Sequence, residues 1–270
     1  MTGLVLVRGA GDLATGTILH LHRCGLRVAA AECARPSAIR RAAAFSEAVY
    51  DGTAEVEGTV CRRVTDAWEL ELCWARGEVP LLVDETLACL EWLRPAAVVD
   101  AILAKRNLGT RRDMAAVTVG LGPGFTAGQD VDAVIETMRG HDLGRVLYEG
   151  TALPNTGVPG LIAGEGARRV IHAPADGAIV HKAAIGDLVE AGQTLAMLGD
   201  TLVTATLTGV LRGLIREGYP VTKGLKIADI DPRSEQQKNC FTVSDKARCI
   251  AGGVLEALLT LAREKGVSLL

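Results

Sequence analysis

The 270 residues suffice for two domains, or for one large domain with an appendage. With 49% apolar and 23% charged residues the chain can bury a sizeable core, which excludes a disordered polypeptide. Only 3% aromatic residues, a formal net charge of −3 and no basic block argue against nucleic acid or any other polyanion as a partner.

Leu4–Val7 is a short apolar run that predicts a buried strand, and Gly9–Gly16 (GAGDLATG) the turn after it. A helix is expected over Ala14–Cys24, ending at Gly25. Arg27–Ala31 predicts a second strand that ends at Glu32. Leu81–Val83, Val98–Val99 and Ala116–Val119 predict further buried strands, with helices at Thr65–Arg76 and Thr86–Leu93 between them. Alternating helices and continuously apolar strands imply a parallel sheet covered on both faces. The segment DVDAVIETMRGHDLGRV predicts another helix, with Asp132 and Glu136 on one face and Arg139 one turn on.

After about Thr151 the texture changes to glycines, prolines and short β-branched runs, as in PNTGVPG and HAPADGAIV. An internal repeat lies here. Gly177, Gly186 and Gly192 are spaced nine and six residues apart, as are Gly209, Gly218 and Gly224. AIVHKAAIGDLVEAGQTLAML matches VLRGLIREGYPVTKGLKIADI, each reading as strand, turn, Val, turn, strand. Two such units facing each other about a pseudo-twofold axis would bury a shared core. Residues 243–265 predict a closing helix, capped by Ser244 or Asp245 and bearing a broad apolar stripe. Gly252 and Gly253 within it suggest close packing.

The seven cysteines (Cys24, Cys33, Cys61, Cys73, Cys89, Cys240 and Cys249) are odd in number and form no C-x-x-C pair. That pattern points to a reducing, cytoplasmic setting rather than to a disulfide framework or zinc site. Residues 1–7 carry no charged n-region or cleavage signal, and the apolar run Val254–Ala262 is too short to span a bilayer.

Gly9-x-Gly11-x-x-Ala14 follows a strand and opens a helix, and Glu32 lies 21 residues beyond Gly11 at the end of the second strand. This is a dinucleotide-binding arrangement and predicts a Rossmann-like domain. Gly9, Ala10, Gly11, Asp12 and Leu13 would present backbone to a phosphate at the helix N-terminus, and Glu32 would accept from a ribose diol. Asp12 departs from the ideal, because an acid repels phosphate. At the carboxyl ends of other strands lie Asp84, Asp100, Lys105-Arg106-Asn107 and the turn Gly120-Leu-Gly122-Pro-Gly124-Phe125. That turn reads either as a nest of N–H groups for an anion or as a rigid reversal, and Lys105 either as a phosphate ligand or as a solvated charge. Asp132, Glu136, Arg139 and His141 would suit a metal or acid–base work. The simpler reading has Arg139 and His141 complementing a helix C-terminus.

RGAGDLATG, FSEAVYDG, GLGPGFTAG, ETMRGHDLGRV, PNTGVPG and SDKARCIAGGVLEA resemble the accessory protein family of the selenium-dependent molybdenum hydroxylase system, over nearly the whole chain. The resemblance implies a role in maturing such a hydroxylase, a molybdopterin dinucleotide-type cofactor, and the hydroxylase or other maturation proteins as partners. It implies no catalytic residues. On that reading the Gly9–Gly16 turn holds the pyrophosphate and Glu32 a ribose, while GLGPGF with Lys105 faces the second phosphate or the metal oxo group. Cys33, beside Glu32, is the thiol nearest the expected site for sulfur or selenium relay, with a bystander thiol the simpler reading.

Residues 170–232, through APADGAIV and IGDLVEAGQ, resemble the biotinyl/lipoyl-like barrel-sandwich hybrid family. Its carriers hold the modified lysine on the hairpin between the halves. The corresponding join here, MLGDTLVTATLTG, has none, and no lysine occurs between Lys182 and Lys223. The expected architecture is α/β: a Rossmann-like nucleotide-binding domain (1–165), a small all-β barrel-sandwich hybrid module (166–235), and a C-terminal helical segment packing on the first domain (236–270). Two other functions stay open. One is an NAD(P)-dependent oxidoreductase, which Glu32 would suit although no tyrosine–lysine pair is evident. The other is a nucleotide-sensing, non-catalytic scaffold. A homo-oligomer is compatible with each.

Overall fold

The structure is a computed structural model that describes residues 3–158 and 160–269. The first two residues of the MTGLVLV segment, Pro159 of PNTGVPG and the terminal Leu270 lie outside the described residues. The chain divides into two compact units. Met1–Pro36, Ala44–Thr156 and Val243–Leu270 make the first, Ser37–Ala43 and Gly157–Thr242 the second.

The first unit runs β1 (Val5–Arg8), α1 (Asp12–Arg23), β2 (Val28–Glu32), α2 (Ala48–Asp51), β3 (Thr53–Val56), β4 (Thr59–Val64), α3 (Ala67–Ala75), β5 (Val79–Val83), α4 (Leu90–Leu93), β6 (Ala97–Asp100), β7 (Val117–Leu121), β8 (Thr126–Ala127), β9 (Ala133–Ile135), β10 (Val146–Leu147) and β11 (Gly150–Thr151). Among the described residues a nine-stranded sheet has the order β10-β9-β7-β6-β1-β2-β5-β4-β3. From β9 across to β4 the strands are parallel, and antiparallel β10 and β3 close the edges. The fold is thus α/β around a large mixed sheet. Its central strands are apolar throughout because both faces are covered. Val5, Val7, Val28, Ala30, Val99 and Val119 share one core with Ile18 of α1. Leu4, Leu6, Ala29 and Val98 face the other way, with Leu70 and Cys73 of α3 and Leu93 of α4.

Two predicted helices are corrected. Thr86–Leu93 is helical only over Leu90–Leu93, because Leu87 adopts a left-handed φ of 60° and Asp84 ties the preceding turn by accepting from the Cys89 N–H at 2.7 Å. The helix expected around Asp132–Arg139 is strand β9 and a turn. Ala133, Val134 and Ile135 pair in parallel with Val119, Gly120 and Leu121, and are completely buried. The spacing of acids and apolar residues suited a helix, but tertiary pairing overrides so short a signal.

The second unit contains β12 (Val170–His172), β13 (Gly177–His181), β14 (Leu188–Val189), β15 (Thr194–Leu198), β16 (Thr201–Thr204), β17 (Gly209–Leu214), β18 (Pro220–Val221) and β19 (Lys226–Asp231). They form two four-stranded sheets, β12-β19-β17-β14 and β16-β15-β13-β18, whose side chains share one core including Ile179, Leu195, Leu211 and Ile227. The glycine repeat has a direct structural counterpart. β13 pairs with β15 in the first copy and β17 with β19 in the second, while β14 crosses to β17 and β18 crosses to β13. Each copy completes the other's sheet. Ser37–Ala43 joins this unit through Ile39, whose carbonyl accepts from the Leu214 N–H at 2.9 Å.

The closing helix α5 (Asp245–Lys265) belongs to the first unit. Ser244 caps it, its hydroxyl accepting from the Ala247 N–H at 3.1 Å, and Gly266 ends it in left-handed geometry. Gly16 of α1 lets α5 come close: a Cβ there would stand 2.7 Å from that of Ala247. Gly253 likewise packs onto the Gly144 carbonyl. Among the described residues no helix is long and apolar enough to cross a membrane.

Candidate functional site

Parallel strands bring their carboxyl ends to one edge. In this sheet β2 and β5 lie on one side of β1, and β6, β7 and β9 on the other. Chain direction across the sheet therefore reverses at β1/β6, the position where open α/β sheets leave a crevice. The loops after β1 and β6 meet there. Gly9 has φ +101°, and a Cβ on it would stand 3.1 Å from the Ala101 carbonyl, so only glycine lets the two loops close up. The loop after β6 then reaches the loop after β7: the Arg106 backbone lies 2.6 Å from where a Gly124 Cβ would be.

Several residues expected to hold a ligand are occupied by the protein itself. Glu32 does not stand open for a ribose. Its Oε2 accepts from the Ala10 N–H at 2.8 Å and its Oε1 from the Cys33 N–H at 2.7 Å, so it clamps the glycine turn. Ala10 is consequently closed to a phosphate. Asp100 is buried, accepting from the Thr110 hydroxyl at 2.6 Å, from Arg8 at 3.3 Å and from the Ile102 N–H at 3.1 Å. Arg8 also donates to the carbonyls of Glu85 and Leu108, both at 3.1 Å, tying three loops together. The turn of Gly120, Gly122 and Gly124 is a packing device rather than an open nest. The Phe125 ring covers Gly120, Thr137 covers Gly122, and the Gly122 N–H donates to the Ile135 carbonyl at 2.9 Å.

The acidic group after β7 is also spent internally. Asp132 is buried with Lys265 at 2.7 Å and Arg112 at 2.5 Å, and accepts from the Thr118 N–H at 2.9 Å. Burial opposes its ionisation, but the two cations outweigh burial and hold the carboxyl below its ordinary range. Glu136 accepts from the N–H groups of Met138 and Leu153 at 2.6 and 2.8 Å. Arg139 forks onto Asp245 at 2.8 and 3.0 Å, and His141 is exposed. Among the described residues no group of three or more His, Cys, Asp or Glu could hold a metal ion. Burial, and then the Glu32 carboxylate, push the Cys33 thiol up to about 11, so it is protonated at neutral pH and unsuited to relay chemistry.

What stays open is the start of α1. Gly11 is its N-cap; among the described residues no side chain caps the helix, and a Cβ on Gly11 would meet nothing within 4 Å. First-turn N–H groups have no intrahelical acceptor, so those at Asp12 and Leu13 belong to an anion-favouring end. Across the crevice Lys105 and Arg106 are exposed and make no hydrogen bond or ion pair among the described residues. Leu103 and Lys105 hold φ values of 61° and 62°, conformations that cost an ordinary side chain energy and gather at functional loops. The residue that sequence reasoning missed is Lys246. It is half-buried at the start of α5, within the fields of Asp12 and Glu136, and has no hydrogen bond or ion pair among the described residues. No local pattern marks it, because those neighbours come from distant parts of the chain.

No family model matches the chain. The uncharacterized protein YqeB of Escherichia coli (strain K12) is 51% identical over 261 residues, covering 97% of this chain and 48% of the relative. The chain therefore spans about half the length of the curated relative it matches. Among solved structures, a succinylglutamate desuccinylase/aspartoacylase from Rhodobacter sphaeroides shares 15% identity at a TM-score of 0.27, covering 85% of each chain. The ectoine utilization protein EutE (DoeB) from Ruegeria pomeroyi, in a product-bound structure, shares 11% at 0.25, also covering 85% of each. Likeness at these scores carries no argument.

These findings correct the family resemblance drawn from the sequence. No family model matches the chain and the relative is uncharacterized, so nothing found supports a selenium or molybdenum hydroxylase assignment. The shared strings are largely structural: GAGDLATG makes the β1–α1 turn, GLGPGF packs on Thr137 and Phe125, and SDKARCIAGG seats α5.

Proposed function

We propose that the first unit binds a phosphorylated small molecule of the nucleotide class in the crevice between the carboxyl ends of β1 and β6. The carrying observation is the uncapped start of α1 at Gly11, with open space above it, at the position where the strand order reverses. Gly11 and the first turn of α1 take a phosphate, and Lys105 and Arg106 supply charge from the facing loop. In this reading the unit is a Rossmann-like domain whose strand-end acid, Glu32, braces the turn instead of reading a ribose. NAD(P) remains within the ligand class.

Isothermal titration of the full chain with ADP, NAD+, NADH and inorganic pyrophosphate tests the proposal. Wild type is expected to bind at least one, and Gly11→Asp, which places a carboxylate at the anion position, to lose at least tenfold in affinity. Refusal of all four by wild type, or unchanged binding by Gly11→Asp, overturns it.

The second unit is proposed to be a barrel-sandwich hybrid module without a carrier lysine. The reciprocal strand exchange supports this, as does the β15–β16 turn at Gly199-Asp200, which bears no lysine. Intact mass after expression with biotin and lipoate is expected to show no adduct, and an adduct would contradict the reading.

A further inference from the structure

The first unit has a second opening, between the segment that leads from β6 to β7 and the turn between β8 and β9. Its volume is about 580 Å³, and cavities of about 300–1,000 Å³ are the size that holds small molecules. Gly11, Lys105 and Arg106 do not line it. Among the described residues no aliphatic or aromatic residue lines it either, so an apolar ligand would gain nothing there.

Both walls are fixed by the chain's own hydrogen bonds. On one, the Asn107 side chain closes a turn. Its Oδ1 accepts from the N–H groups of Gly109 and Thr110 at 2.9 and 2.8 Å, and its Nδ2 donates to the Thr110 carbonyl at 2.8 Å. The Thr110 hydroxyl is tied in turn to buried Asp100 at 2.6 Å. On the other wall, Oδ2 of Asp130 accepts from the Thr126 N–H at 2.7 Å. Arg112 joins the two walls, its Nε donating to Asp132 at 2.5 Å and its Nη1 to the Gly128 carbonyl at 3.0 Å. Asp132 is buried and also held by Lys265 at 2.7 Å, so the Arg112 guanidinium is mounted on a rigid base. Groups ordered by the fold need not be ordered again by a ligand.

The polar edges left over carry both signs. Arg111 is braced at Nε by Asp113 at 3.0 Å, while its two Nη groups, and Nη2 of Arg112, donate to nothing among the described residues. Oδ1 of Asp130 and Oδ2 of Asp113 accept nothing there, and the Gln129 amide makes no side-chain hydrogen bond. Guanidinium edges match the geometry of a carboxylate, and a carboxylate oxygen accepts from an ammonium. Arg111 and Arg112 are balanced on the lining by Asp113 and Asp130, so a simple anion attracted by the first pair is repelled by the second.

We propose that this cavity binds a zwitterionic small molecule of the amino-acid class, its carboxylate on the Arg111 and Arg112 guanidinium groups and its ammonium on Asp130. The site is separate from the nucleotide crevice and does not depend on it.

Calorimetric titration of the full chain with the common L-amino acids, one at a time, tests this. Wild type is expected to bind at least one. The N-acetyl form of that amino acid, which lacks the ammonium, and its carboxamide, which lacks the carboxylate, should each bind about tenfold to a hundredfold more weakly. Arg111→Gln and Asp130→Asn should weaken binding of the intact amino acid by a similar factor, and Asp130→Asn keeps an oxygen for the Thr126 N–H. Arg112→Lys keeps a cation for Asp132 but loses the fork, and should weaken binding while the thermal midpoint stays near that of wild type. Gly11→Asp should leave amino-acid affinity unchanged. Refusal of every amino acid by wild type overturns the proposal, as does binding that Arg111→Gln and Asp130→Asn leave intact. Tighter binding of inorganic phosphate or of glucose than of any amino acid also overturns it, the first marking a plain anion site and the second a polyol site.

Discussion

In the second unit Arg169 and Asp229, with side chains 7% and 9% exposed, meet through two 3.1 Å hydrogen bonds, and Asp231 takes the fork of Arg233 at 2.9 and 2.8 Å. At the carboxyl edge of the first unit Arg8 and Asp100 are likewise buried and paired, at 3.3 Å, yet Lys105 and Arg106 in the loop after β6 are exposed and make no hydrogen bond or ion pair among the described residues. The contrast separates two uses of charge. Where a buried charge is met by the chain's own groups, it fixes the fold. Where the chain brings cations to one edge and leaves them unmet near the start of a helix, the proposed reading assigns the counter-charge to a ligand.

The buried pairs give the largest effects. Asp229→Ala and Asp100→Ala each strand a buried guanidinium and are expected to cost about 3–5 kcal/mol in denaturant unfolding. Asp100→Ala should also loosen the loops after β5 and β6, read as faster hydrogen exchange over residues 101–110. Equal exchange in that loop for the variant and wild type would show that Arg8 does not hold it. Next in size is Gly16→Leu. It overpacks the α1–α5 contact, with an expected cost of about 1–3 kcal/mol. Because Gly16 and the proposed site at Gly11 share α1, pyrophosphate affinity should fall with it. An unmoved affinity would disconnect the helix contact from the site.

The smallest effect lies at acid pH, where both units hold a depressed carboxyl. Asp132 and Asp231 have folded values below the unfolded value of about 3.9. Each therefore contributes stability above that pH, which is lost as pH falls through the folded value. Unfolding followed from pH 7 to pH 2 should show Asp132→Asn and Asp231→Asn each flattening part of the acid decline. Variants as acid-sensitive as wild type would remove these pairs from the account.

Much of the first unit was legible because its signals are local. A β-branched run, a glycine turn and an amphipathic stretch placed β1, Gly9 and α1 without knowledge of anything distant. The nine-and-six glycine spacing did the same for the strand exchange between β13–β15 and β17–β19. Local signals misled where two structures share one pattern. Asp132 and Glu136 sit at a spacing that suits one face of a helix, and only the pairing of Ala133, Val134 and Ile135 with β7 makes the segment a strand. A strand-end acid such as Glu32 looks the same whether it awaits a ribose or braces its own turn. Lys246 was hidden for a third reason: its meaning depends on Asp12, Glu136 and Arg139, more than 100 residues away in sequence.

The most direct test of the central claim is a crystal structure of the full chain grown with ADP. The account predicts a phosphate oxygen about 2.7–3.2 Å from the Gly11 or Leu13 N–H, facing the loop of Lys105. A nucleotide ordered elsewhere on the chain, with the amides at Gly11 left to water, would contradict it.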